Sequence, residues 1–156
     1  MIGMSACTAN QRTDVSLTRD AVPAAPPDAA VVVIYRVSTV VGDGPSPPTI
    51  LVNSLATCDA RSGGAFAHVV RAGEVTVSAA DPLAFGTSRV TWVAEAGKTY
   101  YVRVKTSDKV WASVFGGFIG MAVAEAVSPR SGPFELDLTD EETALANQLK
   151  VETCGK

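Results

Sequence analysis

The sequence RAGEVTVSAADPLAFGTSRVTWVAEAGKTYYVRVK, residues 71–105, decides the fold. It holds three runs in which apolar and polar residues alternate, separated by Ala72-Gly73, Asp81-Pro82 and Ala96-Gly97-Lys98. Successive side chains of a strand point to opposite faces, so this pattern writes consecutive antiparallel strands joined by turns. Val75, Val77 and Ala79 fall on one face and Glu74, Thr76 and Ser78 on the other. Val90, Trp92 and Ala94 repeat the pattern. In the last run Tyr100, Val102 and Val104 alternate with Tyr101, Arg103 and Lys105. A sheet wet on one side reads this way. Gly73 and Gly97 stand where tight connections call for a positive φ.

Three segments of this pattern carry a resemblance. Ile34-Tyr35-Arg36, then Gly73-Glu74-Val75-Thr76-Val77, then Ala94-Glu95-Ala96-Gly97-Lys98-Thr99-Tyr100-Tyr101-Val102-Arg103 occur in an order that resembles the bacterial lipoprotein-type family catalogued as domain of unknown function 2846. The resemblance covers roughly residues 30–149, and the AEAGKTYYVR segment is its specific part. It implies a cell-envelope β-domain of transthyretin-like or carboxypeptidase-regulatory-like architecture, with no known activity. The family usually places a His shortly after its Pro-Gly turn. This chain has Ala72-Gly73-Glu74-Val75 there, which removes the one side chain that could serve as a ligand.

With 156 residues, 47% of them apolar, the chain can bury one core of ordinary size. The 13 basic and 16 acidic residues give a net charge of -3, with neither sign gathered into a block. Nucleic-acid binding needs a basic stripe to neutralise phosphates, and none is present.

Met4-Ser5-Ala6-Cys7 resembles a bacterial lipobox, in which the cysteine sulfur carries a diacylglycerol after cleavage. Residues 1–6 lack Lys or Arg and are too short for an apolar signal region, so they read as a signal-peptide remnant or follow a start site further upstream. Residues 7–30 hold small and polar residues with Pro23, Pro26 and Pro27, and read as a flexible lipid-attached linker. Such a linker would hold a domain on the order of tens of Å from its attachment.

Residues 31–156 then form the domain. Residues 31–37, VVVIYRV, are a β-branched run without alternation, the mark of a strand covered on both faces. Shorter strands are expected over 50–55, 65–71 and 109–115, with 110–124 a charge-free run too short to cross a bilayer. Phe134, Leu136 and Leu138 alternate with Glu135 and Asp137 as a last strand. Thr139-Asp140-Glu141-Glu142 matches a capping box, and Leu145 and Leu149 lie one turn apart, so a helix is expected over 140–150. The fold class is therefore mainly β: a small antiparallel sandwich of six to eight strands with one C-terminal helix.

Cys58 and Cys154 remain once Cys7 is set aside. In an oxidising compartment they are most economically a disulfide. Chain entropy puts its stabilisation at about 4 to 5 kcal/mol, before any strain. His68, the single histidine, shares a face with Phe66 and Val70 and reads as a structural residue needing one hydrogen bond. Neither Gly63-Gly64 nor Gly116-Gly117 is followed by the Lys-Ser/Thr of a phosphate loop. No catalytic, metal or cofactor constellation is written in the chain.

The leading expectation is a non-catalytic, lipid-anchored envelope protein facing the periplasm. It would touch a membrane through Cys7 and an envelope protein through a face bearing Tyr101, Arg103 and Lys105, and would bind no nucleic acid. The alternative is a small-ligand or carbohydrate carrier that stacks its ligand on Trp92, Trp111 and Tyr101.

Overall fold

The computed structural model describes residues 11–38, 47–80, 87–106 and 134–154. In chain order these give β1 (Gln11–Ser16), a single 3-10 turn (Arg19–Ala21), β2 (Ala29–Arg36), β3 (Thr49–Val52), β4 (Leu55–Asp59) and β5 (Gly64–Arg71). There follow β6 (Gly73–Ala80), β7 (Thr87–Ala94), β8 (Thr99–Thr106), β9 (Phe134–Thr139), α1 (Glu141–Leu145) and β10 (Lys150–Thr153). The expected alternation of residues 71–105 is β6, β7 and β8. Gly73 at φ 126° and Gly97 at φ 77° make the turns that only glycine enters without strain.

The strands form two packed sheets, ordered β4-β3-β6-β7 and β1-β10-β5-β2-β8-β9. The mainly β sandwich is thus present, with ten strands among the described residues where six to eight were expected. It is also not wholly antiparallel. β2 runs parallel to β8, with Val31 opposite Thr99 and Arg36 opposite Val104, and β10 runs parallel to β5. The chain leaves β2 for the small sheet, returns as β5 on one side of it, leaves again, and returns as β8 on the other. A parallel pair needs such a crossover.

The unbroken apolar run of β2 follows from this central place, since every residue from Ala29 to Arg36 is buried. Ala30, Val32 and Ile34 face the small sheet and pack with Ile50, Val75, Val77, Val102 and Phe134. Val31, Val33 and Tyr35 face the other way and pack with Leu17, Ala65, Tyr101, Ala144 and Leu149. The large sheet is therefore covered on both faces. Among the described residues the small sheet is covered on one: along β7 exposed residues alternate with half-buried ones up to the buried Ala94, and Val93 on its outer side is 71% exposed.

Three expectations change here. Residues 11–30, expected within a flexible linker, include strand β1, which Thr13 ties to β10 by donating its hydroxyl to the Val151 carbonyl at 2.7 Å. Leu17 then buries itself in the second core. Backbone pairing and one buried leucine outweigh a polar composition. The helix expected over 140–150 ends at Leu145. Leu149 is buried as expected, but from the connection into β10, where its carbonyl accepts from Leu17 N–H at 2.8 Å and Lys150 N–H donates to Gly63 O at 2.9 Å. Those tertiary bonds win over continuation of a short helix. The cap is Asp140, not Thr139: its Oδ1 accepts from Thr143 N–H at 2.6 Å, while the Thr139 hydroxyl bonds the Tyr35 hydroxyl at 3.0 Å. The strand expected over 109–115 and the run 110–124 lie outside the described residues.

Candidate functional site

Cys58 lies in β4 with its side chain turned into the inter-sheet core, and Cys154 follows directly on β10. The two form a disulfide, with S–S 2.13 Å and Cα–Cα 5.4 Å, across 96 positions of sequence. It joins the edge strand of the small sheet to the end of β10 in the large one, so a covalent bond crosses between the layers.

The alternation of β8 places Tyr101, Arg103 and Lys105 together on the outer face of the large sheet, as read from the sequence. The expectation of one exposed face is corrected at Tyr101, which is only 5% exposed. Above it, Arg19 donates from Nε to Glu141 Oε1 at 2.8 Å and from Nη2 to Oε2 at 2.9 Å. This two-pronged pair ties the 3-10 turn to α1 over the ring. Burial, and then the nearby Glu141 charge, raise the Tyr101 phenol above its ordinary pKa.

Arg103 and Lys105 do reach the surface, but opposite acids. Arg103 pairs in register with Asp137 and Lys105 with Glu135. Arg103 Nη2 donates to Asp137 Oδ2 at 3.0 Å, and Lys105 Nζ lies 2.9 Å from Glu135 and 3.4 Å from Asp137. Burial pushes the Asp137 carboxyl up, but the bond from Arg103 and the charge of Lys105 outweigh it and hold the group below its ordinary range. The Glu135 bond and both carboxylate charges raise Lys105. The strip is a ladder of alternating charge rather than a cationic patch, and solvent screens each of its pairs.

Of the aromatic residues of the carrier reading, Trp92 and Tyr101 lie on different faces. Trp92 projects from β7 toward the inter-sheet core, with its ring 5.7 Å from Tyr100 at 49°. Tyr101 lies on the opposite face of the large sheet, in the second core. Trp111 and Cys7 lie outside the described residues. His68 is half-buried, and burial lowers its imidazole pKa. Among the described residues no group of three or more His, Cys, Asp and Glu could hold a metal ion.

Among the described residues, clefts open on the α1 side of the large sheet. The larger, about 820 Å³, is lined by Arg36, Ser62, Arg103, Lys105, Asp140, Glu142, Thr143 and Asn147 among others. The smaller, about 640 Å³, lies beside Arg19, Tyr101 and Glu141. Their described linings are polar and charged, with Ser62, Lys105, Asp140 and Glu142 in the larger and Asp20, Tyr101 and Glu141 in the smaller.

Sequence reasoning missed two polar features. Glu152 in β10 is 4% exposed, and its Oε1 accepts from Arg12 Nε and Nη2 at 3.1 Å each. Arg36, 5% exposed, donates to Ala60 O at 3.3 Å and lies 5.1 Å from the centroid of the Phe134 ring. Arg36 ends an apolar strand, which was a usable hint of a buried cation. Glu152 gave none, because its strand was itself not legible. A scan against protein-family models finds no match to this chain, and searches of the curated proteins and of the solved structures find none either.

Proposed function

We propose that this chain is a non-catalytic protein of the bacterial cell envelope, lipid-anchored through Cys7 and facing the periplasm, whose β-domain binds another envelope component. The observation that carries the reading is the Cys58–Cys154 disulfide. Such bonds persist in oxidising compartments and are rare in a reducing cytosol, so the domain is suited to export. The lipobox-like Met4-Ser5-Ala6-Cys7 and the resemblance of residues 30–149 to an envelope family point the same way. The charge ladder of Arg103, Lys105, Glu135 and Asp137 suits a polar contact with a partner of complementary charge order better than capture of a free anion.

The test is the intact mass of the protein expressed from its full native reading frame in a bacterial host and taken from the membrane fraction. The expected mass is that of a chain beginning at an acylated Cys7. An unmodified chain in the soluble fraction would overturn the anchoring.

A further inference from the structure

β1 and β10 form a two-stranded ribbon at the margin of the large sheet. Among the described strands β1 has β10 as its sole sheet neighbour. β10 in turn meets β5 through Lys150 opposite Gly64 and Val151 opposite Ala65 alone, whereas β5 pairs along its other side from Ala65 to Arg71 with β2. A two-stranded ribbon is marginal by itself, and this one needs fastening.

The two ends of the ribbon are fastened differently. At one end Ser16 lies opposite Lys150, and beyond that pair Leu17 and Leu149, 7% and 1% exposed, sink into the second core with a backbone bond between them. At the other end Gln11 lies opposite Thr153, and the next residue is Cys154, joined to Cys58 of the small sheet. Between the ends lies the buried Glu152 carboxylate with its bonds from Arg12. One end is thus a hydrophobic hinge and the other a covalent clasp, and β1 begins at the clasped end.

We propose that the Cys58–Cys154 bond is a redox-sensitive clasp on the β1–β10 ribbon: its reduction lets the ribbon open from the Gln11/Thr153 end about the Leu17/Leu149 hinge while the rest of the sandwich stays folded. The reductant is a dithiol. One of its thiolates attacks Sγ of Cys154, the less buried of the two residues, forming a mixed disulfide and releasing Cys58 as a thiolate that takes up a proton. The second dithiol sulfur then attacks the mixed disulfide, leaving Cys154 as a thiol and the reductant as a disulfide. Burial of Cys58 in the core makes it a poor thiolate leaving group, so the exchange is slow. This opening does not depend on the envelope reading, because it can be read on the purified chain.

The experiment is native-state hydrogen exchange on the full chain, before and after reduction with dithiothreitol, and on the double variant Cys58→Ala/Cys154→Ala. The quantity read is the ratio of exchange rates of β1 and β10 amides to those of β2 and β8 amides. Loss of a cross-link lowers global stability and speeds both sets together, which leaves the ratio fixed. A local opening raises it. The expected rise is about tenfold or more on reduction and in the double variant. A smaller change in the reduced protein would overturn the clasp and leave the disulfide a global staple. Should the double variant fail to fold, reduction of the folded protein gives the same ratio and the same decision.

Discussion

β2 and β7 are both eight-residue strands, yet every residue of one is buried while the other alternates between exposed and half-buried residues up to Ala94, its single buried one. The difference belongs to the sheets around them. β2 is central in a sheet whose inner face meets the small sheet and whose outer face is covered by Leu17, Ala144 and Leu149. Among the described residues β7 is an edge strand, and Thr91 and Val93 on its outer face are exposed. A continuous apolar run therefore marked a strand between two layers, and an alternating run marked one between a layer and solvent.

The sharpest way to break this comparison is to place the same charge on the outward side of each sheet. Val33, 1% exposed, points away from the small sheet, and Val33→Asp should leave no cooperative thermal transition, because a charge is buried without a partner. Thr91→Asp on the open face should shift stability by about 0.5 kcal/mol or less. Similar losses from both would mean that the small sheet is covered too.

A second test concerns the bond between the sheets. Replacing Cys58 and Cys154 together by Ser should lower unfolding free energy by about 4 to 5 kcal/mol in denaturant titration, the figure that chain entropy alone gives. A loss below about 1 kcal/mol would show that the sheets hold each other without it. Third comes the crowded margin of the large sheet. A Cβ on Gly64 would meet the buried Glu152 carboxylate, which Arg12 holds in place. Gly64→Ala should therefore cost about 1 to 3 kcal/mol, although alanine ordinarily suits a strand better than glycine.

The smallest effect is expected where the large sheet emerges into water. Asp137 is held below its ordinary range in the folded protein, since its pairing with Arg103 and Lys105 outweighs burial. Its contribution is fully present above the unfolded carboxylate value of about 4 and is lost as pH falls through the lower folded value. Asp137→Asn should cost under about 1 kcal/mol at neutral pH and flatten the acid side of the stability profile. An unchanged acid slope would remove the ladder from the account of stability.

Legibility followed the same physical divide. β2, β5, β6, β7 and β8 could be read because burial on one or both faces writes itself into apolar periodicity. The Cys58–Cys154 pairing was open to reading because it left no thiol over once Cys7 was set aside. β1 and β10 were not legible: QRTDVS and KVET carry no apolar alternation, and their strand state comes from pairing with each other and with β5. β4 was hidden by the turn at Asn53 and Ser54, which take φ 49° and 69° without a glycine to signal it. Tyr101 was placed on the correct face, but its cover came from the 3-10 turn and α1, elements whose packing no local pattern records.

The most direct measurement is a non-reducing peptide map of the protein recovered from membranes of a bacterial host and alkylated on lysis. One peptide pair joined through Cys58 and Cys154 is expected, with no alkyl label on either and a lipid on Cys7. Label on both Cys58 and Cys154 would contradict the covalent joining of the two sheets and, with it, the oxidising compartment in which the function is placed.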